Sequence, residues 1–387
     1  MKLVAVSKLV VTREQSDALL ATTARVNAAR SWLATQAMAL PRYDRKSKYT
    51  LQRLFYAEMR ERFGISAQMT IRAIATVAAC FKTDPYAEHR FRDKAAISYD
   101  ARILSFGGEG VPTSVSIATL DGRINLPLVA GGPHHDRLAG DRGESDLVLR
   151  KGRWYLHTTV KVECDPTAEA IEFLGEDFGI VRIATDSDGE SYCGADVEAV
   201  RQRLMKLRTA LQECGTRSAK KHLKRLSGLD ARFRADINHT IAKRIVEKAK
   251  CTGRGIALED LTGIRDRVNV RKGQRAQHGS WAFFQLRAFV TYKAIMAGVP
   301  LAIVDPRNTS RACIMCGCCD KRNRRSQSEF VCQSCGFSAN ADFVAAVNIA
   351  RRARVNAPIV SSDDAGNAAP LATRVPVELR RKPHASA

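Results

Sequence analysis

The sequence predicts an α/β domain carrying an inserted zinc ribbon, preceded by a β-rich domain that itself carries a helical insertion. Three observations lead there. Two CxxCG segments, Cys313-Ile-Met-Cys316-Gly317 and Cys332-Gln-Ser-Cys335-Gly336, are separated by a short basic loop. Strand-length apolar runs alternate with helical periodicity through the second half of the chain. In the first half, a block of helical periodicity gives way to β-branched runs broken by hairpin turns.

Lys2 to Val11 reads as a strand, and Thr12 with Gln15 forms a capping box that starts a helix with Leu19, Val26, Ala29 and Leu33 on one face. Thr50 to Phe63 is a second helix that stops at Gly64. Ser66 caps a third, which carries Met69, Ala73, Ile74 and Val77 as far as Phe81. From Ile97 to Val162 the pattern is β. Asp121-Gly122 and Lys151-Gly152 are hairpin turns, the second between strands Leu147 to Leu149 and Trp154 to Val162. His134-His135 lies in a Gly-Pro-rich loop and reads as solvated rather than metal-bound. Residues 1–11 and 82–165 therefore form the β-rich domain, with residues 12–81 as its helical insertion.

Beyond Pro166, Ile171 to Leu174 and Ile180 to Thr185 are apolar strands around Gly175-Glu176-Asp177-Phe178-Gly179, and Asp188-Gly189 turns the chain into a third strand. This is an antiparallel meander. Two long helices follow, Asp196 to Glu213 and Ser218 to Lys250. Gly255 to Leu258 is a buried strand delivering Glu259, followed by a basic loop with Arg265, Arg267, Arg271, Lys272 and Arg275. Ser280 caps a helix from Trp281 to Met296, and Val299 to Val304 is a further strand. Residues 313–336 interrupt this domain, which spans 166–312 and resumes over 337–355 with a helix from Asn340 to Arg354. The Ala-, Pro- and Ser-rich stretch 356–387 reads as a disordered tail.

Four thiolates, from Cys313, Cys316, Cys332 and Cys335, close a tetrahedral zinc site and leave no position for water, so the metal is structural. Each following glycine can take φ > 0 and turn backbone amides toward the sulfurs. Cys318 and Cys319 blur the first knuckle, but a shifted pair of Cys316 and Cys319 lacks the following glycine. Cys80, Cys164, Cys193, Cys214 and Cys251 are scattered singly and read as small core hydrophobes. This usage fits metal binding in a reducing compartment rather than a disulfide framework.

Composition narrows the function classes. The chain has 387 residues and 45% hydrophobic content, enough to bury a sizeable core, and 62 Lys and Arg against 40 Asp and Glu leave a formal charge of +22. That excess favours a polyanionic partner, nucleic acid before membrane. No apolar run approaches the roughly 20 residues that span a bilayer. Met1 to Thr12 lacks the features of a secretory signal, so a cytoplasmic, nucleoid-associated protein is expected. The most concentrated basic stretch holds Lys220, Lys221, Lys224 and Arg225, which few acids balance, and it is assigned to nucleic-acid backbone contact.

Three acids interrupt apolar runs: Asp177 in the first strand of the meander, Glu259 at the end of a later strand, and Asp342 in the first turn of the last helix. A buried carboxylate costs several kcal/mol unless paired or metal-bound. Hard oxygen ligands suit Mg²⁺, and two such ions about 4 Å apart can activate water and stabilise the leaving oxygen of a phosphodiester. Taken singly, each acid also fits a strand end or helix cap paired with an arginine.

Four segments alter that balance. Gly175 to Gly189 (GEDFGIVRIATDSDG), Ile256 to Leu261 (IALEDL), Val304 to Gly317 (VDPRNTSRACIMCG) and Gly336 to Ala350 (GFSANADFVAAVNIA) resemble, in order, the split RuvC motifs and zinc ribbon of the TnpB family. Members of that family are transposon-associated RNA-guided DNA endonucleases related to type V CRISPR effectors. The resemblance is specific over about the second half of the chain. It implies an RNase H-like (RuvC) nuclease domain with an inserted zinc ribbon, and an N-terminal wedge-like, β-barrel-like domain with a helical recognition insertion. By motif, Asp177, Glu259 and Asp342 fall on the catalytic magnesium ligands. Phe343-Val344 departs from the third motif, where a polar residue often precedes the alanines. His239, in a helical segment also similar to the family's, reads as packing or backbone support.

The function so implied is a guide-RNA-directed endonuclease that uses two Mg²⁺ ions at one RuvC-like site beside a short flanking motif of double-stranded target DNA, as a monomer on one guide. Three other readings share parts of this pattern: a compact type V CRISPR effector, an RNA-guided repressor that does not cut, and a transposase. The intact acids argue against the repressor, and the lack of a clear helix-turn-helix argues against the transposase.

Overall fold

The computed structural model of the chain describes residues 1–179, 182–193, 195–260 and 283–356. Its contacts divide the described residues into two compact units, Lys2–Val162 and, beyond it, residues 163–356.

In the first unit, β1 (Lys2–Leu9), β2 (Ile97–Tyr99), β3 (Leu104–Gly107), β4 (Ser114–Thr119), β5 (Gly122–Val129), β6 (Asp141–Arg150) and β7 (Arg153–Lys161) form one antiparallel sheet. The strand order is β2-β6-β7-β1-β5-β4-β3. The sheet is nearly closed and barrel-like: Tyr99 on one edge strand donates its hydroxyl hydrogen to Ala118 O of β4 at 3.1 Å. The β6–β7 turn uses Lys151 at φ 53 and Gly152 at φ 73, the doubly positive pair that matches the twist of a tight hairpin.

Between β1 and β2 lie α1 (Arg13–Ala37), α2 (Arg42–Lys46), α3 (Lys48–Phe63) and α4 (Ala67–Thr83). The Thr12–Gln15 capping box is complete in both directions, Gly64 ends α3 in the left-handed region, and Ser66 caps α4. The apolar faces expected of α1 and α4 are buried: Leu19, Val26, Ala29 and Leu33 on one, Met69, Ala73, Ile74, Val77 and Phe81 on the other. Trp154 of β7 donates Nε1–H to Ser16 Oγ at 3.0 Å, pinning α1 to the sheet. His134 and His135 lie in a short helix, α5 (Pro133–Arg137), rather than a loop, because Pro133 at its start pre-sets the helical φ.

The second unit holds β8 (Phe173–Asp177), β9 (Arg182–Asp186), β10 (Ser191–Cys193), α6 (Ala195–Cys214), α7 (Arg217–Cys251), β11 (Gly255–Glu259), α8 (Phe283–Met296), β12 (Leu301–Val304), β13 (Glu329–Val331), β14 (Ser338–Asn340) and α9 (Ala341–Asn356). The sheet order is β10-β9-β8-β11-β12. β8, β9 and β10 are the expected antiparallel meander, while β11 runs parallel to both β8 and β12. Even-numbered strand residues Leu174, Ile256 and Leu258 pack on α7 and α8. Phe173, Ala257 and Ala302 pack on the opposite face against Ile349 and Ala353 of α9. A three-layer α/β/α unit results.

The first strand of the meander departs from the sequence reading at both ends. β8 begins at Phe173, leaves Ile171 exposed, and continues through Gly175-Glu176 to Asp177. Its two consecutive acids point to opposite faces, and each finds charged neighbours there. The scattered cysteines also differ from expectation: Cys214 and Cys251 are exposed at the ends of α6 and α7, and Cys80 and Cys164 are half-buried. Helix termini lie at the surface whatever their composition. Ile180, the basic loop from Arg265 to Arg275, the Ser280 cap with Trp281, and the tail from 357 lie outside the described residues.

Candidate functional site

The carboxylates converge because of sheet periodicity and one glycine. Leu258 of β11 is opposite Glu176 of β8, and Asp177 and Glu259 are the next and last residues of those parallel strands. Both follow the odd-numbered alternation, which faces α9. α9 crosses β8 at Gly175, where an added Cβ would lie 2.1 Å from Ala346 O and 2.6 Å from Ala350 N. Only glycine admits that approach. Asp342, one turn before Ala346, shares the face that meets the strand, and Asn340 Oδ1 caps the helix by accepting from Asp342 N at 3.0 Å.

Electrostatics record the convergence. Burial, then the charges of Glu259 and Asp342, push the Asp177 carboxyl up to about 8. Burial also raises Glu259, against the hydrogen bond it accepts from Thr309. It raises Asp342 as well, against Arg324 and Arg182. Arg324 belongs to the segment between the two cysteine pairs, and its guanidinium lies 3.8 Å from Asp342. Three acids in partial burial with excess negative charge fit a divalent cation with hard oxygen ligands. They are spread wider than the thiols: among the described residues, only the four cysteines place three or more candidate ligand atoms all within 4.8 Å.

Those four, Cys313, Cys316, Cys332 and Cys335, meet where the sequence placed them. Cys313 and Cys335 sulfurs are 3.7 Å apart, and those of Cys316 and Cys332 are 3.5 Å apart. Around a tetrahedral zinc with Zn–S of about 2.3 Å, sulfurs stand roughly 3.8 Å apart, so the cage fits that ion. The amides of Ser334 and Cys335 point at Cys332 Sγ, and the Cys335 amide is the main cause drawing that thiol down to about 6. Gly317 and Gly336 take φ 74 and 73, as this geometry requires.

The basic residues Lys220, Lys221, Lys224 and Arg225 are all exposed in the first turns of α7, with Arg203, Lys206 and Arg208 exposed on the neighbouring α6. Among the described residues none of the four in α7 is in an ion pair. His239 stacks on Phe289 at 3.7 Å between ring centroids, the packing role expected of it. His134 stays apart from any metal-ligand group among the described residues, and burial lowers its basicity.

Sequence reasoning missed Arg324, Thr309 and Asn348 at the carboxylate site, and Glu176 behind it. Arg324 was one more residue in a basic run, and Thr309 and Asn348 carry no charge. Glu176 is fully buried on the α7 face, where burial and Asp186 hold its carboxyl well above the usual range. Lys248 bridges Asp186, Asp188 and Glu190 on that face.

Residues 283–349 match the family described as Cas12f1-like, TNB domain. Over 221 residues the chain is 33% identical to the CRISPR-associated endodeoxyribonuclease Cas12f1 of Sulfoacidibacillus thermotolerans, a match covering 52% of this chain and 50% of the relative. A TnpB-like protein of Methanocaldococcus jannaschii is 32% identical over 133 residues, 34% of this chain and 47% of its own. The chain spans about half the length of the curated relatives it matches. Among solved structures, the cryo-EM structure of a Cas12f1-sgRNA-target DNA complex shares the fold with a TM-score of 0.62 at 14% identity, covering 88% of this chain and 83% of that one. The matches bear out a resemblance to TnpB-like proteins, and residues 283–349 take in the third and nearly all of the fourth of the segments that carry it.

Proposed function

We propose that this chain, a relative of the TnpB-like and Cas12f1 proteins, is an RNA-guided DNA endonuclease with one RuvC-like site. The observation that carries the reading is the convergence of Asp177, Glu259 and Asp342 at the ends of β8, β11 and the start of α9, supported by relatives named as endodeoxyribonucleases. Asp177, Glu259 and Asp342 would hold magnesium, which when bound supplies Lewis-acid activation of water and charge stabilisation at the leaving oxygen. The protein's own part is placement. Parallel strands fix two of the acids, and the close approach at Gly175 fixes the third. Arg324 presents a cation that attracts the phosphodiester to this acidic surface and offsets its negative charge.

The five-stranded sheet with α9 on one face is read as the RNase H-like core, and residues 313–336 as the zinc ribbon inserted into it. The barrel-like sheet and its helical insertion are read as the wedge and recognition elements that hold guide RNA and the flanking duplex. Lys220, Lys221, Lys224 and Arg225 are read as backbone contacts. A compact type V effector shares all this chemistry and differs in the origin of the guide.

Incubating the RNA-loaded protein with matched duplex DNA and Mg²⁺ tests the reading. Guide-dependent double-strand cleavage that EDTA stops is expected, and matched DNA left intact at all metal concentrations overturns it. Sequencing the RNA that co-purifies from the native locus separates a transposon-derived guide from a CRISPR-derived one.

A further inference from the structure

Thr309 is almost fully buried, with 3% of its surface exposed, in the link between β12 and the first cysteine pair. Its neighbour Asn308 sits at φ 63, a left-handed conformation that costs a non-glycine residue about 1 kcal/mol or more and persists only where surrounding contacts enforce it. Those contacts are present. Asn348 of α9, itself 8% exposed, donates through Nδ2 to both Thr309 O and Ala312 O, each at 2.8 Å, employing both hydrogens of the amide. From the cysteine-rich side, fully buried Asn323 donates to Arg311 O at 2.9 Å and Cys318 O at 3.0 Å, and its Oδ1 accepts from Gln333 N at 2.9 Å. Residues 309–312 are thus clamped by α9 on one side and by the cysteine-rich segment on the other.

The clamp aims one hydroxyl. Thr309 Oγ1 donates to Glu259 Oε1, with Pro306 O 3.0 Å away as the alternative acceptor. A hydroxyl has a single hydrogen, and an ionised carboxylate is the stronger acceptor. We infer that Thr309 is the positioning residue for Glu259: it occupies one carboxylate oxygen, leaves the other to face the cation, and is held in register by Asn348 and Asn323. The fold of the cysteine-rich segment is thereby linked to the geometry of a carboxylate that none of its cysteines touches. The inference rests on the proposed divalent-cation reading of Asp177, Glu259 and Asp342.

Calorimetric titration of Mn²⁺ into the full-length, zinc-loaded chain tests it without relying on cleavage. Thr309→Val keeps the shape and removes the hydroxyl, Thr309→Ser keeps the hydroxyl and removes the methyl, and Asp177→Asn reports whether the titrated site is the carboxylate cluster. Removing a partner that orients a metal ligand weakens affinity by about 10- to 100-fold, the loss expected for Thr309→Val, whereas Thr309→Ser should stay within about threefold of wild type. Thermal melts of each variant accompany the titrations, and Thr309→Ala takes the place of the valine if that variant does not fold. Wild-type affinity in the hydroxyl-free variant overturns the inference. So does an equal loss in Thr309→Ser, which would assign the effect to packing. Wild-type Mn²⁺ binding that Asp177→Asn leaves unchanged would instead overturn the metal-site reading, and this inference with it.

Discussion

Arg324 holds its guanidinium 3.8 Å from the carboxylate of Asp342, joining the segment between the two cysteine pairs to the first turn of α9. The same cation lowers the proton affinity of Asp177 and Glu259, so one side chain acts on all three acids. Replacing it with Gln should let the carboxylates keep their protons to higher pH. The acid limb of the cleavage profile should therefore shift upward in pH, with a maximal rate lower by ~10² if the guanidinium also stabilises the transferring phosphate. Rates measured from about pH 5.5 to pH 9 at saturating Mg²⁺ check this, and an unshifted limb at undiminished rate would remove Arg324 from the site.

Asp177→Ala should abolish cleavage while leaving guide-dependent DNA binding largely intact. A metal site stabilises charge developing in the transition state and adds little to a heteroduplex held elsewhere. Glu259→Ala and Asp342→Ala should behave alike, and the triple variant should be no worse than the worst single one, because groups acting through one cluster are not additive. Single-turnover cleavage beside a filter-binding assay measures both halves of this expectation.

Asp177 also makes stability depend on pH. Its carboxyl has an ordinary value of 3.8 and is raised to about 8 in the fold. A group that binds its proton more tightly when folded contributes stability that is fully present below the unfolded value and is lost as pH rises through the folded one. With the zinc left in place and no magnesium or manganese added, the wild-type Tm should fall between about pH 4 and pH 8. Asp177→Asn should flatten that fall and melt higher at pH 8, by roughly 2–4 °C for each kcal/mol of relieved repulsion. Parallel pH slopes for the two proteins would show that Asp177 carries no such burden.

Cys332→Ser or Cys335→Ser should release about one zinc per chain, since structural zinc contributes folding free energy directly. Loss of the cage should also free Arg324 and the 309–312 clamp, so cleavage should fall although no cysteine meets the substrate. Elemental analysis of protein purified without chelator, followed by limited proteolysis between Val304 and Asp342, reads both effects. Full metal content in either variant would reassign the cage to other ligands.

Much of this was legible in the sequence because the signals are local. CxxCG spacing, the capping box at Thr12, the N-cap at Ser66, and Lys151-Gly152 each fix a few residues through short-range chemistry. The three acids stood out because a charge interrupting an apolar run needs an explanation. Gly175 was visible but mute: what requires it is the backbone of α9, some 170 residues away in the chain, and no local pattern announces that contact. Thr309 and Asn348 were silent for a related reason, as neutral side chains whose partners come only from the tertiary fold. Glu176 was hidden beside Asp177: the alternation of the strand sends the second acid to the α7 face, where its partners come only from the tertiary fold.

The basic cluster at the start of α7 offers a test of how nucleic acid is held. Lys220, Lys221, Lys224 and Arg225 lie within two turns, so residues 220 and 224, and 221 and 225, pair on adjacent faces one turn apart, all exposed. Phosphate contacts position a strand without reading its bases, so changing all four to Gln should weaken matched and mismatched targets by a similar factor. Specificity should barely change. Each lost contact to duplex should also flatten the dependence of log affinity on log salt by about one unit. Binding isotherms of the guide complex at four or five salt concentrations give the slope directly. A slope equal to wild type would make the cluster an ordinary solvated helix face, whereas a slope shallower by about three or more units would mean that at least one charge from each pair lies against the backbone.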